Sequence, residues 1–176
     1  MAHDDPTGRG NVPGGPDQSV RRTESVWDYP RPPALRPVRS RVTVHLAGQL
    51  IVDTTTAIAV LETSHPPTIY LPRAAFTGAE LRPADGPTTW CEFKGRAHYL
   101  DVVVGDSTAR RAGWTYPQPT PAYTDLAGMV ALYPSRMELC TLAGETVQAQ
   151  DGDFYGGWIT SAVTGPFKGA PGTLGW

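Results

Sequence analysis

Short apolar runs, alternating or continuous and broken by glycine and proline, make up most of this chain, the pattern of short strands and tight turns. Residues 41–46 and 49–53 alternate as two strands joined at Ala47-Gly48. Residues 57–62 read as a strand, although Thr54-Thr55-Thr56 ahead of them also offers the cap of a short helix there. Pro66-Pro67 forces a bend, after which residues 68–71 return as a strand ended by Pro72. Residues 73–81 give the best candidate for a helix, a short one, and residues 83–87 read as a loop. A hairpin spans residues 89–104, and Gly105-Asp106-Ser107 turns the chain into a strand over 109–116. Pro117, Pro119 and Pro121 make a stiff connection. Residues 128–133 are almost continuously apolar, as in a strand buried on both faces, and residues 137–142 and 145–149 form a last hairpin around Ala143-Gly144. The expected fold class is mainly β with short helices.

The hairpin over 89–104 carries the sharpest chemistry. Lys94-Gly95 supplies the glycine that a two-residue turn needs for positive φ. That turn pairs Phe93 with Arg96, Cys91 with His98 and Trp90 with Tyr99, setting a thiol against an imidazole on one face and two aromatic rings on the other. A thiolate activated by an imidazole is the nucleophile of many hydrolases and transferases. A cysteine in a strand is otherwise a small core hydrophobe.

Composition narrows the picture. In 176 residues, 40% of them hydrophobic, there is material for one domain with a real core. Residues 1–24 hold no apolar run and many glycines and prolines, so a disordered tail is expected there, with the domain over residues 25–176. Arg21-Arg22 has no hydrophobic region behind it, which argues against export, and no run of about twenty apolar residues spans a bilayer. A formal charge of -2 supplies no basic field for nucleic acid or an anionic membrane. Two cysteines, Cys91 and Cys140, form neither a disulfide framework nor a C-x-x-C metal pair. A cytoplasmic, zinc-free protein without a cofactor is the expectation.

Around the hairpin lie three further segments of interest. Trp27-Asp28-Tyr29-Pro30-Arg31-Pro32-Pro33 reads as an extended, polyproline-like arm packed over a core edge. The Pro66-Pro67 bend either holds Glu62, His65 and Tyr70 at a pocket mouth or is a structural corner. The end of the chain, from Phe154, is loaded with aromatics and glycines, so it is expected to wrap back on the body and close one wall of a pocket.

Taken together, Trp27-Asp28-Tyr29-Pro30-Arg31-Pro32-Pro33, Pro66-Pro67-Thr68, Tyr70-Leu71-Pro72, Cys91-Glu92-Phe93-Lys94-Gly95, Trp114-Thr115-Tyr116, Phe154-Tyr155-Gly156-Gly157-Trp158-Ile159-Thr160 and Gly165-Pro166-Phe167-Lys168-Gly169 resemble the domain-of-unknown-function family 427, which also carries a nucleotidyltransferase label. The resemblance implies a β-tent, two antiparallel sheets leaning over a pocket, as in the zinc-binding yippee proteins and the ligand-binding domain of cereblon. This chain lacks the cysteine pairs of those relatives, so their metal site does not carry over. Nor does membership supply a chemistry. The transferase label needs paired carboxylates on a strand to hold magnesium. Asp151-Gly152-Asp153 has the spacing, but it falls in a turn with no phosphate-cradling motif upstream.

Two lysines stand against thirteen arginines, and both precede glycine: Lys94-Gly95 and Lys168-Gly169. An amine kept in an arginine-using chain marks a place for a compact charge or a titratable nitrogen. Three functional readings follow. The first is a small-molecule-binding module whose aromatic cleft draws on Tyr70, Trp90, Tyr99, Trp114, Tyr116, Tyr155 and Trp158, with Arg31, Glu62 or Lys168 orienting a planar or apolar ligand. The second is an enzyme using Cys91 with His98, or Lys94. The third is an interaction domain docking through its aromatic C-terminal segment.

Overall fold

The computed structural model describes residues 22–176, so the expected disorder of the tail lies, up to residue 21, outside the described residues. Strand β1 (Glu24–Ser25) leads into a 3-10 turn over Val26–Asp28. Then come β2 (Ala34–Val38), β3 (Val42–Leu46), β4 (Gln49–Thr54), β5 (Ala57–Leu61), β6 (Thr68–Pro72) and β7 (Glu80–Pro83). They are followed by β8 (Thr89–Cys91), β9 (Gly95–Val104), β10 (Ser107–Thr115), β11 (Met129–Leu132), β12 (Leu139–Leu142), β13 (Glu145–Thr146), β14 (Gln148–Ala149), β15 (Trp158–Ile159) and β16 (Val163–Thr164). The fold is mainly β, with curled antiparallel sheets and helix only as 3-10 turns. No helix among the described residues is long and apolar enough to cross a membrane.

Two sheets dominate. The larger runs β2-β5-β6-β11-β10-β9-β7, with β8 pairing on β9; the smaller runs β13-β12-β3-β4. Period-2 alternation in the larger sheet sends two different sets of side chains to its two faces. On one face Ala57, Ala59, Leu61, Ile69, Leu71, Leu100, Val102, Ala112, Val130 and Leu132 pack with Val42, Val44, Ile51 and Val52 of the smaller sheet. The space between the sheets is therefore largely packed core, opening at one edge into a cleft bordered by Arg36, Ala59, Ile69, Leu142 and Trp158. On the other face Val60, Tyr70, Ala97, Trp114, Tyr116, Ala131 and Tyr133 form a second, aromatic cluster with Tyr123 and Leu126. The apolar run at 128–133 is thus buried on both faces, as its composition requires.

Several expectations change. Residues 73–81 form no helix: a 3-10 turn over Arg73–Ala75 gives way to the edge strand β7. The cause is Gly78, whose backbone lies so close to β4 that a Cβ there would sit 2.6 Å from the Leu50 carbonyl oxygen, an approach that packing selects over helix propensity. The arm is not the extended segment expected: it starts with a 3-10 turn in which the Ser25 hydroxyl accepts from the Trp27 amide, and then bends at Tyr29, Arg31 and Pro32, with a cis Arg31–Pro32 peptide bond, before β2. Glu24, assigned by composition to the tail, belongs to the fold: β1 pairs in parallel with β16, and Glu24 binds both the Arg36 guanidinium and the Tyr29 hydroxyl. The last hairpin closes after Thr146, and Gln148–Ala149 leaves it to pair with Trp158–Ile159.

Candidate functional site: a cleft on the aromatic face of the larger sheet

Tyr70 on β6, Trp114 on β10, Tyr116 just beyond it and Tyr133 at the end of β11 form the floor of an open cleft of about 330 Å³. The Trp114 indole donates to the Tyr70 hydroxyl at 3.0 Å, and the Trp114 and Tyr133 rings lie 4.7 Å apart. Burial holds the Tyr70, Tyr116 and Tyr133 hydroxyls above the usual phenol range, so they stay protonated. Tyr99 lines one side. Its hydroxyl meets Thr89 at 3.1 Å, and the Arg111 guanidinium stacks on its ring at 4.1 Å while holding the Asp85 and Pro87 carbonyls. Arg111 sits in a bulge of β10 at φ +46, with its amide donating to Asp101.

The hairpin that roofs the cleft has a different register from the one expected. Cys91 pairs with Gly95, Trp90 with Arg96 and Thr89 with Ala97, leaving a three-residue loop, Glu92-Phe93-Lys94, before Gly95 at φ +99. The proline-rich connection sets that loop: the Thr120 hydroxyl donates to the Phe93 carbonyl and its amide to the Lys94 carbonyl. Cys91 has moved three positions from its expected partner, an odd number, so faces are exchanged. Cys91 borders the cleft, whereas His98 pairs with Thr115 on the opposite face of β9 and lies exposed; the proposed thiol–imidazole pair is not formed. The paired Trp90 and Tyr99 rings are likewise corrected. Trp90 stands at the lip, 69% exposed.

The other wall comes from the arm, the Pro66-Pro67 bend and the C-terminal segment. Arg31 pairs with Glu62 at 3.4 Å and donates to the Thr63 carbonyl. Residues 154–157 cross over the aromatic floor, where a Cβ on Gly156 would meet the Trp114 ring at 2.4 Å. The Tyr133 hydroxyl donates to the Phe154 carbonyl. Lys168 is fixed by its amide donating to the Ser64 carbonyl; its ammonium donates to the Trp176 carbonyl and lies 5.5 Å from the Tyr155 ring centre.

His65, 8% exposed, packs edge-on to Tyr155 with ring centres 4.6 Å apart. The Gln150 carboxamide is oriented by the Gly157 amide, which donates to its oxygen, so its nitrogen donates both to the Lys168 carbonyl and to His65 Nδ1. His65 must then carry its proton on Nε2 when neutral. Burial first, and then Lys168, Arg31 and Lys94, push its pKa down to about 4. Between pH 6.5 and 4 the unfolded chain takes up a proton that the folded one refuses. Stability is accordingly full above pH 6.5 and falls with pH, by on the order of 2 kcal/mol at pH 4. An NMR titration of the imidazole should show no transition above pH 5; an ordinary midpoint near 6.5 would contradict this environment.

Of the residues singled out from sequence, Arg31, Glu62, Tyr70, Trp90, Cys91, Lys94, Tyr99, Trp114, Tyr116, Tyr155 and Lys168 all border this one cleft, as does His65 of the bend. Two do not. His98 lies elsewhere, and Trp158 is buried in the core between the sheets, 1% exposed, with its indole aimed at the Leu132 carbonyl. Sequence reading missed Tyr133, which alternation with Ala131 and Met129 places on the aromatic face once the strand is registered, and Arg111, whose bulge has no local signal. No group of three or more metal-ligating side chains is placed to hold an ion among the described residues.

No curated protein matches the chain. One family model does, over residues 34–143, a span that contains the aromatic floor and the Lys94 loop but not Arg31, Tyr155 or Lys168. With well over half its length matched, the chain belongs to the family described as Domain of unknown function (DUF427).

Proposed function

We propose that this protein binds a small molecule in the aromatic cleft. One observation carries the reading: a sheet face that could have been solvated or sealed is instead lined by Tyr70, Trp114, Tyr116 and Tyr133 beneath an open space of about 330 Å³. That size and lining, apolar rings with a few convergent polar groups, suit a compact ligand with a planar part. A cytoplasmic setting is in keeping with two free thiols, Cys91 and Cys140. A second reading, an enzyme acting through Cys91 or Lys94, draws on the position of both at the cleft edge; without His98 it lacks the base first assigned to the thiol.

A thermal-shift screen of planar small molecules tests the binding reading. A ligand present at about 100 times its Kd should stabilise by roughly 2.7 kcal/mol, a rise of about 5 °C or more for a domain of this size. Trp90→Ala, at the exposed lip, should leave the unliganded melting temperature nearly unchanged and shrink the ligand's shift. A hit whose shift is the same in Trp90→Ala and in a Tyr116→Ala variant binds elsewhere, and the reading fails.

A further inference from the structure

The cleft's apolar floor ends against a cationic wall, and one member of that wall is without a partner. Lys94 is 7% exposed, yet among the described residues its ammonium makes neither a hydrogen bond nor an ion pair; the nearest ring, Tyr123, has its centre 6.0 Å away. Its stem is buried while the ammonium opens on the cleft, so a counter-charge can reach it there from outside. Its neighbours cannot serve. Glu62 is engaged by Arg31, and Glu92, at the other side of Lys94's loop, is exposed. Two further donors border the cleft: the Lys168 ammonium, and His65, whose accepting nitrogen is already occupied by Gln150. His65 is held neutral in part by the three nearby cations, which marks this end of the cleft as electropositive. Both lysines of the chain meet here, each delivered by a glycine at positive φ immediately after it.

We infer that the ligand is a small aromatic or heteroaromatic carboxylate, its ring on the tyrosine and tryptophan floor and its carboxylate on the Lys94 ammonium, with Lys168 and the His65 Nε2–H completing the donor set. This rests on the cleft being the binding site. It adds the ligand's charge and the atom that reads it. A ring system of one or two rings fits the space, and a planar acceptor-only group suits the donors of Lys94, Lys168 and His65.

Isothermal titration with matched pairs, benzoate against benzamide and indole-3-carboxylate against indole-3-carboxamide, with phenyl phosphate alongside, reads the inference directly. The acids should bind the wild-type protein at least about 10-fold more tightly than their amides, as one charge-assisted hydrogen bond supplies. Lys94→Met should weaken the acids by about 10- to 100-fold while moving the amides less than about 2-fold, and Lys94→Arg should keep the preference for acids. Methionine keeps the length and the apolar stem of the side chain, so the melting temperature of Lys94→Met should stay close to that of the wild type, and loss of fold does not confound the comparison. Acids and amides binding alike, or a preference for acids that survives Lys94→Met, would overturn the carboxylate assignment while leaving the cleft as a neutral binding site. Tighter binding of phenyl phosphate than benzoate would overturn it in favour of a phosphate ester. If neither series binds and the thermal screen yields nothing, both the assignment and the cleft reading fall.

Discussion

A chain ending before Gly152 should not fold cooperatively. The deleted segment supplies Trp158 and Val163 to the core between the two sheets, the partner strands of β1 and β14, and the amides that bind the Pro67 and Ser64 carbonyls. Loss of a buried tryptophan alone costs about 3–5 kcal/mol, and a buried valine about 1.5 or more. Net stability of a domain is only about 5–15 kcal/mol. Circular dichroism and size exclusion of the truncated chain should show an aggregated or molten species. A cooperative melt within a few degrees of the full chain would make the segment an accessory tail. The point variant Trp158→Ala separates two roles: its side chain is on the core face, so it should lower the melting temperature by about 10 °C without removing a cleft contact.

Gly169→Ala should be nearly as damaging as a core truncation, although it adds one methyl group. Gly169 stands at φ +125, a conformation that L side chains avoid, and a Cβ there would lie 2.1 Å from the Asp151 carbonyl oxygen. Backbone must move at one of two fixed points. The adjacent Lys168 carbonyl is bound by Gln150, and the Gly169 amide donates to the Thr173 hydroxyl, so the shift would reach His65 through Gln150. A loss of at least about 3 kcal/mol is expected in urea denaturation, the range of backbone clashes that cannot relax. Gly172→Ala is the control: at φ +87 with open space around its Cβ position, it should cost only about 1 kcal/mol. Equal effects of the two substitutions would show that the contact with Asp151 is not a constraint.

Most strands were legible because their signal is local. Alternation and glycine-marked turns placed β3, β4, β6 and β11 within a residue or two, and the aromatic positions that alternate with core residues on β6, β10 and β11 all emerged on one face. What sequence could not settle was register. Lys94-Gly95 looks like a two-residue turn, and only the remote Thr120, holding both loop carbonyls, makes it three residues and separates Cys91 from His98. Residues 73–81 mislead for a related reason: Gly78 is needed against Leu50, a contact made across sheets. Trp158 and Tyr155 show the same limit within one motif, since adjacent aromatics in a glycine-rich stretch gave no hint that one turns to the core and the other to the cleft.

The claim that the aromatic face of the larger sheet is the binding site is tested most directly by the indole resonances of the five tryptophans. Two of them, Trp90 and Trp114, border the cleft; Trp158 lies in the other core, and Trp27 and Trp176 pack against each other with ring centres 5.4 Å apart. In a nitrogen-15 correlation spectrum titrated with the tightest-binding acid, the Trp90 and Trp114 indole signals should move in proportion to saturation while Trp158 stays in place. Movement of Trp158 or of the Trp27 and Trp176 pair, with Trp114 unmoved at saturation, would contradict the account.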